Sequence, residues 1–394
     1  MADRSVAVSL RLLSLAYFSM GTGSLAVVGA LPSIASSLAL NRGAVAMLVS
    51  AFAITFALAA PILQMTLGRW QRRTLILTGL ALMAIGAAAS ALAPNYAVLL
   101  GARIVAGLGA AAIGPVASAL GASLAPPRDQ GRALAIVFSG MTISSVVGVP
   151  LSAWLGEAVG WRPMFAIIGL LTVAAALLVA HHVRDRGAGQ RVRLAQLADI
   201  LRRPATAGGI AVMVLEMAGM FSTYTMIAPI LRDHFGASPE ATSFALMTLG
   251  VAGVAGNFLA RKIAGIWSAD RAVAVALFGL IVVFAALYAA PAWYPAAIAL
   301  IIVWALASDL FMPSQQRRMV ELAPEVHGLV LALNSSAIYV GMATGSFVAG
   351  GLYPLFGLSA LPPASVAFLT CGLGALWLSR RAAAAKPELC AASA

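Results

Sequence analysis

The chain has 394 residues, 61% of them hydrophobic and only 10% charged, with a mean hydropathy of +0.96. A soluble domain carries about a quarter charged residues, so 25 Lys and Arg with 13 Asp and Glu are too few to cover a 40.2 kDa surface. A soluble enzyme, a disordered chain and a nucleic-acid-binding protein are excluded together, and the net charge of +12 reports on where arginines meet a bilayer rather than on a polyanion. The composition is that of a polytopic membrane protein.

A membrane helix needs roughly 20 mostly apolar residues. Twelve such spans are predicted in chain order: 11–35, 44–67, 74–93, 97–125, 133–156 and 163–182, then 205–231, 241–266, 273–291, 295–316, 326–351 and 364–382. Their length and their richness in Ala, Leu and Gly exclude barrel strands, which alternate over about ten residues. With both ends in the cytoplasm, only Arg42, Arg162 and Arg232 fall outside and Arg103 is embedded. The other 21 basic residues, Arg69, Arg72, Arg73, Arg128, Arg132, Arg317 and Arg318 among them, lie at or near the cytoplasmic face. An odd number of spans breaks this alternation.

Residues 183–204 form the longest polar stretch and divide the chain into an N-terminal bundle, 1–182, and a C-terminal bundle, 205–394. Within the linker, Leu194, Leu197, Ile200 and Leu201 share a helical face beside Arg193, Arg202 and Arg203. That pattern suggests an interfacial helix at anionic head groups, the alternative being a solvated linker. The predicted fold is therefore all-α: twelve membrane helices in two pseudo-symmetric six-helix bundles, an architecture used by many secondary transporters. Gly140, Gly148, Pro150 and Gly156 in the fifth span match Gly341, Gly345, Gly350 and Gly351 in the eleventh. Small residues let helix backbones approach closely in lipid, and their recurrence in two halves suggests sliding or rocking surfaces.

Three ionisable residues stand out at bilayer depth: Arg103, Glu216 and Asp309. A charge there costs several kcal/mol, about 3 on insertion scales, so such residues face the protein interior and mark pathways by default. Glu216 lies near the middle of the seventh span, and Asp309 slightly past the middle of the tenth. Both are candidate proton exchangers; the alternative is a hydrogen-bonded structural acid, or for Asp309 a pairing with Arg317 or Arg261. Around Glu216, the residues Met213, Met220, Thr223 and Tyr224 fall near one helical face. Methionines adapt to varied ligands, although ordinary helix packing explains them as well. Asn334, Tyr339, Gln64 and Asn257 add polar groups able to bond a substrate or a neighbouring helix.

Other signals carry no chemistry. The run GLGAAAIG sits inside a span rather than after a strand, and no G-x-x-x-x-G-K-[ST] exists. Cys371 and Cys390 match no metal spacing, and His181 and His182 point about 100° apart on a helix. No cofactor and no metal are expected.

Several segments together carry a family resemblance. ARIVAGLGAAAIGPVASALGASLAPPRDQGRALAI contains Arg103, Gly107 and Gly109; GVPLSAWLGEAVGWRPMF contains Gly148, Pro150, Trp161 and Arg162; ELAPEVHGLVLALNSSAIYVGMATGSFVAGGLYPLFG runs through the eleventh span. With these the chain resembles the major facilitator superfamily, and within it the twelve-span drug:proton antiporters similar to bacterial sugar, nucleoside and multidrug efflux permeases. The resemblance implies alternating access, a proton-relay role for Arg103, pliable packing at Gly148 and Pro150, and export driven by proton entry. It also implies a cytoplasmic gate at Arg69, Arg72 and Arg73. The chain departs from the family pattern at Gly68 and Gln71 in QMTLGRWQRR, where an acid and a glycine are usual. It departs again at Ser24 and Ser33 in the first span, where carboxylates are common.

The function expected is secondary transport of a small organic solute, most simply proton-coupled efflux. The alternatives are a proton-independent facilitator or importer, and a membrane sensor of the same fold. An enzyme is not expected, because no nucleophile, base or metal set shares one depth. The implied partners are a small-molecule substrate, protons and the lipid bilayer, with no nucleic acid and a monomer as the working unit. The expected setting is a bacterial-type inner membrane with both termini cytoplasmic.

Overall fold

The computed structural model describes residues 2–126, 129–185, 187 and 194–391. Arg128 and Arg193, expected at the cytoplasmic edge, lie outside the described residues. Among those described the chain is nearly all helical, joined by short turns and loops. The helices are α1 (Ala2–Ser37), α2 (Arg42–Leu67), α3 (Arg72–Ala91), α4 (Tyr96–Ser123), α5 (Gln130–Ile143), α6 (Val149–Leu155), α7 (Trp161–His182) and α8 (Leu194–Arg202). There follow α9 (Pro204–Tyr224), α10 (Ile227–Pro229), α11 (Pro239–Ala264), α12 (Ala269–Ala289), α13 (Tyr294–Leu322), α14 (His327–Phe356) and α15 (Leu361–Ala391).

Eleven helical runs among the described residues are long and apolar enough to cross a bilayer. One of them, Gln130–His182, has 53 residues, and at about 1.5 Å per residue a straight rod of that length is more than twice as long as a bilayer is thick. It turns at Gly160, whose φ of +96° suits glycine alone. The run therefore makes two passes, and the total is twelve. Large apolar side chains point outward: Leu170 is 70% exposed, Phe258 63% and Phe278 61%. Such a surface needs lipid as its solvent, and only closed helical hydrogen bonding survives there.

Helix starts carry side-chain caps. Asn41 accepts from the Gly43 amide at 2.7 Å, Asn95 from Val98 at 3.1 Å and Ser268 from Arg271 at 3.3 Å, each satisfying an otherwise unpaired first-turn N–H. Three π-helical turns, Ser144–Gly148, Gly156–Gly160 and Ile230–His234, interrupt the regular helix.

The chain forms two compact units. The first contains residues 1–192 with 225–250, and the second residues 193–224 with 251–394. In the first, Phe52, Trp161 and Phe165 are the bulkiest buried rings; in the second, Phe284, Trp304 and Phe311.

Glycines close a helix seam inside each unit. In the first unit α1 and the run from α5 to α6 lie parallel. A Cβ on Gly140 would strike the Ser14 carbonyl, one on Gly148 the Thr22 hydroxyl, and one on Gly156 would lie 2.8 Å from Ala30 Cβ. The reciprocal notch is Gly29, where a Cβ would lie 2.8 Å from Ala153 Cβ. In the second unit, Gly341 and Gly345 on α14 lie against the Val214 and Ala218 carbonyls of α9. Gly140, Gly148, Gly156, Gly341 and Gly345, expected to form sliding surfaces, are thus interlocked within the units, whereas Gly351 is exposed with open space where a Cβ would stand.

The linker helix α8 also finds protein. Ile200 is buried against Met319, Ala323 and Val330, and Arg203 pairs with Glu325. Leu201 stays 47% exposed. The apolar face expected at lipid head groups is partly spent on the ends of α13 and α14.

Candidate transport site

Arg103 projects from α4 into the first unit and is 2% exposed. Its Nη1 donates to the Gly23 carbonyl at 2.7 Å and its Nη2 to the Ser24 carbonyl at 2.8 Å. The guanidinium lies over the Phe52 ring, 4.7 Å from its centre. Gly107, one turn along α4, makes this stacking possible: a Cβ there would come within 2.7 Å of the Phe52 carbonyl. The Ser24 hydroxyl is turned to its own helix, donating to Gly21 O at 2.8 Å. Two carbonyl dipoles and a ring face therefore hold this charge without a carboxylate from α1.

The second unit holds both embedded acids. Glu216 on α9 is fully buried, and neither carboxyl oxygen has a hydrogen-bond partner among the described residues. Asp309 lies on α13 of the same unit. Asp309 Oδ1 accepts from Asn257 Nδ2 of α11 at 2.5 Å. Gly253 and Gly256 of α11 leave room for the acid, since a Cβ on Gly253 would strike Asp309 Oδ2 and one on Gly256 would lie 2.8 Å from Asp309 Cβ. Neither arginine considered for Asp309 serves it in this arrangement. Arg317 binds Glu321 at 2.7 Å and the Ala264 carbonyl at 2.7 Å, while Arg261 lies over the Phe258 ring.

The face around Glu216 continues along the seam between α9 and α13. Met220 Sδ lies 3.9 Å from Ser308 Oγ, and Tyr224 meets Trp304 edge-on at 6.0 Å. Trp304 in turn meets Phe284 at 4.7 Å, and its indole N–H has no partner among the described residues. Met213 is fully buried. Asn334 of α14 is buried with its Oδ1 unpartnered among the described residues, and Tyr339 lies further along α14, partly exposed. Gln64 belongs to α2 of the first unit and is partly exposed.

Of the gate and packing candidates, Gly148, Gly341 and Gly345 lie in the glycine seams, and Pro150 is buried at the start of α6. Arg72 Nε pairs with Asp185 Oδ2 at 3.3 Å, Arg73 donates to the Ala180 carbonyl, and Arg69 is exposed. With Gly68 in place of an acid, Asp185 beyond α7 is the partner that Arg72 finds. At the end of the first unit that carries Arg42, Arg162 and Arg232, two ion pairs form. Arg42 pairs with Asp233, and Arg232 with Glu157 at 3.0 Å. Trp304 and the pairing role of Asn257 were not singled out by sequence. The available signals were a tryptophan five residues before the acid and an asparagine directly after G-x-x-G.

The sequence profile of the Major Facilitator Superfamily matches residues 13–215 and 209–389. The chain is 31% identical over 345 residues to the inner membrane transport protein YdhP of Escherichia coli (strain K12), covering 86% of this chain and 87% of that protein. It is 26% identical over 336 residues to a probable sugar efflux transporter of Helicobacter pylori (strain HPAG1), covering 84% and 85%. Among solved structures, the nucleoside transporter NupG superposes with a TM-score of 0.78 at 12% identity, covering 96% of this chain and 99% of that one. A D-xylose-proton symporter gives a TM-score of 0.71 at 18% identity, covering 93% and 95%. The twelve passes, the buried charges in both units and these matches over most of the chain converge: the protein is a multi-pass membrane transport protein belonging to the Major Facilitator Superfamily.

Proposed function

We propose that the protein exports a small organic solute across an inner membrane by alternating access, driven by proton entry, with Glu216 and Asp309 as the proton-exchanging acids. The observation that carries this reading is Glu216: fully buried, with no hydrogen-bond partner for either oxygen among the described residues. A carboxyl in that state has little to hold it ionised. Gain and loss of a proton is the chemistry it can perform. Arg103 supplies a fixed positive charge in the other unit. Met220, Tyr224 and Trp304 offer an adaptable apolar and aromatic wall for the solute, with Met213, Asn334, Tyr339 and Gln64 as further contacts.

The direction and solute class draw on the Helicobacter pylori relative, whose name gives sugar efflux, and the membrane on the Escherichia coli one. The bias of arginines supports cytoplasmic termini, and the monomer is taken as the working unit. A second reading, a facilitator without proton coupling, is favoured by Ser24 at the position where relatives carry an acid and by the carbonyl-held Arg103.

The test begins with thermal-shift screening of purified protein against drugs, sugars, nucleosides and amino acids at two pH values. The stabilising compound is then used for exchange in proteoliposomes under an imposed pH gradient. Wild-type protein exchanges it in response to the gradient, and Glu216→Gln abolishes that response. Exchange indifferent to the gradient selects the facilitator.

A further inference from the structure

The two acids of the second unit are not equivalent. Glu216 makes no hydrogen bond to the described residues, while Asp309 is met by the Asn257 amide at 2.5 Å. The same Asn257 nitrogen lies 3.4 Å from the Gly253 carbonyl of its own helix. Both neighbours of that nitrogen are acceptors, so the amide must turn its NH2 toward them; the flipped amide would set oxygen against oxygen. Gly253 and Gly256 complete the arrangement. Any side chain at either position would meet Asp309, so both must stay bare for the carboxylate to reach α11.

We propose that Asn257 is a positioning residue, which holds the Asp309 carboxylate against α11 whenever that acid is ionised and leaves Glu216 as the untethered acid of the pair. An N–H aimed at a carboxylate is a charge-assisted hydrogen bond, stronger than one to a neutral group. No cation competes for the role among the described groups facing Asp309. Asn257 meets it from α11, and the other acid of the unit, Glu216, lies on α9. Arg261 lies over the Phe258 ring, and Arg317 is committed to Glu321 and two backbone carbonyls. The functional meaning of the asymmetry rests on the reading that these acids exchange protons: a tethered acid and a free one give the pair an order in which to act. The positioning itself rests on geometry alone.

The test needs no solute. Infrared difference spectra of the full-length protein in lipid nanodiscs, at one fixed pH, identify the Asp309 carboxylate band by its loss in Asp309→Asn and the Glu216 band by its loss in Glu216→Gln. In Asn257→Leu and Asn257→Ala the Asp309 band shifts in frequency while the Glu216 band stays in place. An unshifted Asp309 band in either folded variant overturns the proposal. A second measurement avoids changing Asn257: with 15N-labelled asparagine, the Asn257 side-chain amide resonance moves in Asp309→Ala, and an unmoved resonance overturns the proposal equally. Loss of pH-driven exchange in wild-type liposomes would refute the proposed function without touching either spectral result, so the two failures are told apart.

Discussion

Arg232 meets Glu157 at 3.0 Å, at the end of the first unit where Arg42 also meets Asp233. The segment 225–250 is thereby fastened to the helices that precede the linker. Partly exposed pairs of this kind contribute about 1 kcal/mol or less each. Glu157→Gln is therefore expected to lower the thermal midpoint slightly, and the charge-swapped double variant Glu157→Arg with Arg232→Glu to recover it. Equal loss in the single and double variants would show that the contact is incidental.

Arg103 gives a sharper expectation. Among the described residues its guanidinium has carbonyl and ring partners but no acid, so replacing it strands no buried carboxylate there. Arg103→Met is predicted to fold, with stability changed by no more than about 2 kcal/mol, while exchange is lost. Arg103→Lys also loses exchange, because an ammonium cannot fork to the carbonyls of Gly23 and Ser24 while lying on Phe52. Size-exclusion profiles with proteoliposome exchange separate folding from function.

The glycines fall into two classes. Gly345→Val and Gly140→Val force a side chain into facing backbone and should each cost about 1–3 kcal/mol or more. Gly101 in α4 and Gly374 in α15 have open space where a Cβ would stand. Gly101→Ala and Gly374→Ala should stabilise by roughly 0.5–1 kcal/mol, the helix preference of alanine over glycine. Thermal unfolding of the four variants in one detergent checks the contrast.

Arg72 and Asp185, both largely buried, should couple by about 1 kcal/mol in a double-mutant cycle. Arg69, exposed beside them, should be replaceable by Ala within about 0.5 kcal/mol.

Much of this architecture was legible from residues in order. The third span, expected over 74–93, forms as Arg72–Ala91, and the ninth, expected over 273–291, as Ala269–Ala289. Hydropathy finds such helices because lipid admits little else. The seventh span, expected as one run over 205–231, breaks after Tyr224 and resumes at Ile227, where Pro229 has no N–H for the Thr225 carbonyl and its ring crowds that oxygen. Contacts were harder to read. Asn257 and Asp309 are 52 residues apart, Arg103 and Gly23 are 80 apart, and helical periodicity links neighbours only within a turn or two. Ile200 looked lipid-facing because its helix is amphipathic; that pattern cannot tell a bilayer from the flank of α13 and α14. The embedded acids were conspicuous by their cost, and the neutral amide that serves one of them was not.

The eightfold rhythm of Ser14, Thr22 and Ala30 against Gly140, Gly148 and Gly156 has a mechanical corollary. Two rods keyed at three successive teeth cannot slip lengthwise by a single turn, because a shift of four residues either way sets Phe18 against Gly140 or Gly148. Whatever displacement carries a solute must therefore swing α1 together with α5 and α6 as one stiff plank, and bending has to occur where no tooth engages.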